Sequence, residues 1–207
     1  MRKIIRDNQA VGTIFLAGIF WFIIFRWQIF NFWLAMSIAV TILSSLAILW
    51  GASPIRREDL NLKAVLKGII SAFLLYGIFY LGNVFSRLLF DFAGSQIVSI
   101  YGIRKEGATL PIFLVLFFIT SPGEEIFWRG FLQRWAMDKY GRFKGFLLAS
   151  LIYAAVHIVS GNFMLVMAAL VAGLFWGLMY LMEENIVSLI ISHALWTVGI
   201  FLFFPVA

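Results

Sequence analysis

Seven apolar runs follow one another along this chain, at 10–26, 29–50, 64–82, 109–133, 145–159, 164–182 and 186–204. Each approaches or exceeds the length of helix needed to cross about 30 Å of hydrocarbon. Within lipid, backbone N–H and C=O groups find no water, so only helices and closed barrels satisfy them there. A barrel would show short segments of alternating polarity, whereas these runs are continuous. The chain therefore reads as an all-α, polytopic transmembrane helix bundle of seven to eight spans. Its charged fraction of 13% is about half that of a soluble domain. No soluble module fits between the spans, and all the cores are expected to be intramembrane helix packing.

The net charge of +6 does not point to nucleic acid. Most Lys and Arg residues flank the apolar runs, as topology signals do. They gather at the N-terminus (Arg2, Lys3, Arg6), in the linker around 51–67 (Arg56, Arg57, Lys63, Lys67) and in the loop expected at 134–144 (Arg134, Lys139, Arg142, Lys144). If the spans alternate, these three segments share one face, which should be cytoplasmic along with the N-terminus; Arg104 and Lys105 lie on the other. The first apolar run follows basic residues like a leader peptide. No small-residue cleavage site succeeds it, and Arg26-Trp27 leads into another span, so it reads as a retained helix. The absence of cysteine excludes disulfides and thiol catalysis. Between Gly82 and Glu106 lies a mixed stretch. Its part Val84–Phe92 suits an interfacial helix or a helical extension, and 84–100 is the candidate eighth span.

Few ionisable groups interrupt the spans: Glu124, Glu125, Arg129, His157 and His193, the last two being the only histidines in the chain. A charged side chain at a helix centre costs ~2.5–3.5 kcal/mol, so Glu124, Glu125 and Arg129 unpaired would cost on the order of 8–10 kcal/mol. Such groups mark functional sites by default. At ~1.5 Å rise per residue, Glu124 lies about 15 Å from Arg134, His157 roughly 19 Å from Lys144, and His193 about 12 Å from Asn185. All three depths are counted from the same face, so the groups can converge.

Glu125 and Arg129, at i and i+4, can pair on one helix face. Glu124 points about 100° away, free for chemistry; the alternative is a structural ion cluster of all three. Tyr153 shares a face with His157, as packing or an aromatic wall, and Thr197 shares one with His193. Thr197 can orient His193, donate to an oxyanion, or bond back to its own helix carbonyl. Ser121-Pro122-Gly123 should break or kink the helix just before the glutamates, and irregular backbone at that depth is tolerated only against protein or a wet cavity. Ala169, Gly173 and Gly177 form a small-residue stripe suited to close helix packing. Glutamates and histidines are also zinc ligands, but no HExxH spacing exists and the groups come from three spans. No metal and no other cofactor is expected.

At these residues the chain resembles the CAAX protease and bacteriocin-processing (CPBP or Abi) family of glutamate-type intramembrane endopeptidases. The family motif Glu-Glu-x-x-x-Arg stands as Glu124-Glu125-Ile126-Phe127-Trp128-Arg129, and Phe-x-x-x-His as Tyr153-Ala154-Ala155-Val156-His157. The glycine-containing helix looks like Gly173-Leu174-Phe175-Trp176-Gly177-Leu178, and His-x-x-x-Asn stands as His193-Ala194-Leu195-Trp196-Thr197, with threonine for asparagine. The resemblance covers about 109–204, which divides one integrated membrane domain into N-terminal helices and linker (1–108) and a catalytic helix core (109–207).

The resemblance implies a metal-independent endopeptidase opening toward the cytoplasmic side. Glu124 with His157 would activate water, His193 with Thr197 would steady the oxyanion, and Glu125, Arg129 and Tyr153 would support them. Its partners would be the lipid bilayer and a peptide or protein substrate, lipidated or membrane-anchored, cut near its C-terminus or leader; nucleic acid is not among them. The setting would be a bacterial or archaeal cytoplasmic membrane. Two other readings are a non-proteolytic binding or scaffold protein of the same fold, which the threonine at 197 favours, and a small proton-coupled transporter using the same carboxylate–histidine cluster. No pair of related halves supports the transporter.

Overall fold

The structure is a computed structural model and describes residues 4–51 and 53–206. Arg2 and Lys3, two of the basic residues at the N-terminus, lie outside the described residues. Seven helices are long and apolar enough to span a membrane: α1 (Asp7–Trp27), α2 (Phe32–Gly51), α3 (Leu62–Leu89), α5 (Thr109–Tyr140), α6 (Arg142–Ser160), α7 (Phe163–Glu183) and α8 (Ile186–Phe203). The remaining α-helix among the described residues, α4 (Ala93–Gly102), follows α3. At ~1.5 Å per residue it is about 15 Å long, half the thickness of the hydrocarbon. The candidate eighth span at 84–100 therefore does not exist. Its first part is the end of α3, and α4 lies against α7, where the Asn162 side chain donates to the Gln96 carbonyl at 2.9 Å.

Local chemistry sets the helix starts. Asn61, Asn162 and Asn185 cap α3, α7 and α8, their side-chain oxygens accepting from Ala64, Leu165 and Ser188 backbone N–H groups at 2.9, 2.9 and 3.2 Å. These caps satisfy donors that have no partner within the helix. The loop expected at 134–144 is instead mostly helix. Trp135, Ala136 and Met137 continue the buried face of α5, and the chain turns only at Gly141, whose φ of 87° suits glycine. Arg134 is drawn into the protein, donating to the Gly51 carbonyl at 2.6 Å.

Helix α5 is central, in contact with α2, α6, α7 and α8. One apolar core joins α1, α2, α5 and α6 through residues such as Trp21, Leu43, Phe131 and Val156; a second joins α3, α5, α7 and α8 through Leu75, Trp176 and Leu189. Helices α6 and α7 approach closely at the small residues. A Cβ added to Gly177 would lie 2.8 Å from Ser150 Oγ, and one added to Gly173 would lie 3.1 Å from the Tyr153 ring. The small-residue stripe thus serves helix packing, as its spacing suggests.

Candidate active site

Pro122 does not break α5. Residues Leu116–Thr120 and Trp128–Gln133 adopt wider π-helical turns on either side of a regular stretch, Ser121–Phe127. Ser121 Oγ donates to the Leu116 carbonyl at 2.8 Å, satisfying an acceptor in the first of them. Such turns absorb the proline and re-aim the side chains beyond it, a device frequent at functional sites. Between them, Glu124 and Glu125 are 5% and 0% exposed.

The two glutamates have different partners. Glu125 Oε1 accepts from Arg129 Nη1 at 2.9 Å and from His193 Nδ1 at 2.7 Å, while its Oε2 is buried without a partner. Arg129 also donates to the Gly173 carbonyl at 3.4 Å, and its guanidinium lies 4.8 Å from the Tyr153 ring centre and 5.4 Å from that of Trp176. Glu124 accepts instead from the Tyr153 hydroxyl, at Oε2 and 2.9 Å, and among the described residues its Oε1 has no hydrogen-bond donor. The i, i+4 spacing thus placed the ion pair where expected and left Glu124 out of it.

Glu124 lines a cavity of about 180 Å³, together with Thr120, Tyr153, His157, His193 and Thr197. A single water needs about 10–15 Å³, so the space holds several. Away from this polar end the walls are apolar and include Phe25, Trp33, Ile103, Leu165 and Phe201. These side chains belong to the end of the bundle where α1 meets α2 and α6 meets α7. The cavity therefore extends away from the basic segments at 51–67 and 134–144, not toward them. In the other direction from the glutamates α5 carries Phe127, Trp128, Phe131 and Leu132, each at most 2% exposed and none of them lining the cavity. A cavity opening on the face of the basic loops is thus corrected by the packing.

All the candidate residues converge, but the two histidines differ. His193 Nδ1 is held by Glu125, and its ring stacks on Trp176 with centroids 3.9 Å apart and planes 19° off parallel. Its Nε2 has no hydrogen-bond partner among the described residues. His157 has both nitrogens engaged: Nε2 accepts from Trp21 Nε1 at 3.0 Å, and Nδ1 lies 2.7 Å from the Tyr153 carbonyl, which can only accept. His157 is therefore beside Glu124 in the cavity wall but has no nitrogen left for a water. Thr197 Oγ1 does not bond back to its helix; like Thr120 Oγ1 and Trp196 Nε1, it is buried without a partner. Among the described residues, no three His, Asp or Glu side chains are grouped closely enough to hold a metal ion.

Sequence reasoning missed Trp21, Thr120 and the stacking role of Trp176. Thr120 was findable, one turn before Glu124; Trp176 lies inside the glycine motif; nothing local marks Trp21. No curated protein and no solved structure matches the chain. A family model does, the one described as type II CAAX prenyl endopeptidase Rce1-like, over residues 106–199. That stretch holds the paired glutamates, both histidines and the glycine helix, so the match bears out the relationship that the motifs suggest, and residues 106–199 are similar to the Rce1-like family of type II CAAX prenyl endopeptidases.

Proposed function

We propose that this integral membrane protein is a glutamate-type, metal-independent endopeptidase that cuts a membrane-associated peptide with water activated by Glu124. The observation that carries the reading is the carboxylate of Glu124 itself. It stands at the polar end of a cavity, with Oε2 fixed by the Tyr153 hydroxyl and Oε1 unclaimed by protein. A water on Oε1 loses a proton to Glu124 as its oxygen attacks the scissile carbonyl carbon. The tetrahedral intermediate then collapses, the C–N bond breaks, and Glu124 returns the proton to the leaving amine.

His193 and Thr197 are the candidate oxyanion donors. Because His193 Nδ1–H donates to Glu125, its Nε2 carries a hydrogen for the oxyanion only when the ring is an imidazolium. The hydroxyl of Thr197, without an internal partner, is free to donate as well. Glu125 and Arg129 stand behind the cavity wall and fix His193. The apolar remainder of the cavity suits a lipidated or apolar segment, in keeping with the prenyl endopeptidase description of the matching family. Eleven of the sixteen Lys and Arg residues belong to the N-terminus and the segments 51–67 and 134–144. That bias puts the Asp7 end of α1 in the cytoplasm.

The test incubates the purified protein and its Glu124→Gln variant with a mixed library of lipidated and leader-type peptides, with and without a chelator, and reads products by mass spectrometry. Chelator-insensitive products from the parent alone are expected. Chelator-sensitive products would replace the mechanism with a metal-dependent one, and equal products from both proteins would remove Glu124 from it.

A further inference from the structure

The first span contributes one polar atom to the site, and it touches a histidine of the motif set. We infer that Trp21 is a positioning residue for the proposed reaction, acting through His157 and Tyr153 on the carboxylate of Glu124. Trp21 is fully buried where α1 passes into its final wide turn, Phe22–Trp27. Its Nε1–H donates to His157 Nε2 at 3.0 Å, and the two rings meet edge to face with centroids 5.7 Å apart.

An indole N–H only donates, so His157 Nε2 must be bare, and the single hydrogen of the neutral ring must sit on Nδ1. There it donates to the Tyr153 carbonyl, 2.7 Å away. The imidazole is thus fixed from both sides in one tautomer, as in sites where a partner at one ring nitrogen decides the state of the other. Tyr153 is the residue whose hydroxyl holds Glu124 Oε2. Its ring is enclosed by edge contacts with His157 and Trp128, at 5.1 and 5.0 Å, and Trp128 in turn meets Trp21 at 5.8 Å. Trp21, His157 and Trp128 together therefore set the rotamer of the tyrosine that aims Glu124. Loss of the indole N–H leaves a buried nitrogen unpaired, releases the ring and loosens that aim.

The kinetic consequence rests on the proteolytic reading, whereas the tautomer does not. The chain has two histidines, so imidazole ¹⁵N NMR of the full protein in nanodiscs resolves both, assigned with a His193→Gln sample. Near pH 7 the parent should show His157 as the neutral Nδ1–H tautomer with a hydrogen-bonded Nε2. Two variants remove the donor: Trp21→Phe, and replacement of Trp21 by 3-benzothienylalanine, which keeps the shape of the indole should phenylalanine disturb packing. Both should give mixed His157 tautomers, with kcat lowered about 10–100-fold, the usual cost of losing a partner that orients a histidine, and KM within about twofold. An Nε2–H or imidazolium His157 in the parent, or an unchanged His157 signal in the benzothienylalanine protein, overturns the inference. So does a change in KM with kcat intact. A parent that cleaves nothing would fail the proteolytic reading alone, with the NMR result still deciding the tautomer.

Discussion

Replacing Arg129 with methionine tests how this bundle tolerates charge within a membrane. Arg129 and Glu125 are 2% and 0% exposed, and their 2.9 Å pair has no route to water. Arg129→Met leaves the Glu125 carboxylate with His193 as its sole partner and with Oε2 still unpaired. Breaking a buried pair on one side costs about 3–5 kcal/mol, and two guanidinium–aromatic contacts, with Tyr153 and Trp176, go with it. The expected loss is about 4 kcal/mol. Arg129→Met combined with Glu125→Leu removes both charges, which alone is close to neutral when the volume is kept. What remains is His193 Nδ1 without its acceptor, a penalty of about 1–3 kcal/mol. The double variant should therefore be more stable than Arg129→Met, with a coupling energy of about 2 kcal/mol. Reversible unfolding in mixed micelles, followed by the fluorescence of the eight tryptophans, measures the parent, Arg129→Met, Glu125→Leu and the double variant. A loss below about 1 kcal/mol for Arg129→Met, or a double variant no more stable than the sum of the single ones, would refute the pairing as the means by which these charges are held in lipid.

Tyr153→Phe removes the hydrogen bond to Glu124 and should slow cleavage about 10–100-fold, since a bond to a charged group is worth about 1.5–3 kcal/mol; single-turnover rates check it. Thr197→Val should lower kcat about 10²–10³-fold as an oxyanion donor is lost, whereas Thr197→Asn should keep or raise it; kcat unaltered in both would take the hydroxyl out of the mechanism. Gly145→Ala would set a Cβ 2.3 Å from the Met137 backbone nitrogen, forcing α5 and α6 apart at a cost of about 1–3 kcal/mol in unfolding experiments. The chain has no cysteine, so single cysteines report topology cleanly: Ser53→Cys and Lys105→Cys should react with an impermeant maleimide from opposite sides of the membrane.

Sequence alone revealed those parts of the fold and site that depend on chemistry local to one helix. Runs of apolar residues located the spans, because in lipid each helix must be apolar by itself. The i, i+4 rule separated Glu124 from the Glu125–Arg129 pair, because both sit on one turn of α5. The helix at 134–140 and the short α4 were less legible. In the first, charged residues alternate with a buried face, Trp135 to Met137, that only neighbouring helices make visible. In the second, residue composition does not reveal that the run stops at half the membrane thickness. Trp21 was hidden for another reason: it meets His157 across 136 positions of chain, and an indole in an apolar span looks the same whether it faces lipid or a histidine.

Sidedness shows how two sound sequence arguments can exclude each other once the helices are assembled. Positive charge argues for the face of the 51–67 and 134–144 segments lying in the cytoplasm. The resemblance implies a site open to that same side. In the bundle, Phe127, Trp128, Phe131 and Leu132, on the stretch of α5 between the glutamates and that face, are buried and line no part of the cavity, which runs toward the other face, past Phe25, Trp33 and Ile103. Both statements cannot hold for one conformation. The charge argument concerns loops and is indifferent to packing, whereas the opening depends on which half of α5 carries bulky side chains. With the N-terminus inside, a peptide substrate of the proposed reaction would reach Glu124 from the opposite leaflet. With Lys105 on the cytoplasmic side instead, the same cavity would serve a cytoplasmic tail, and eleven basic residues would stand on the unfavoured face.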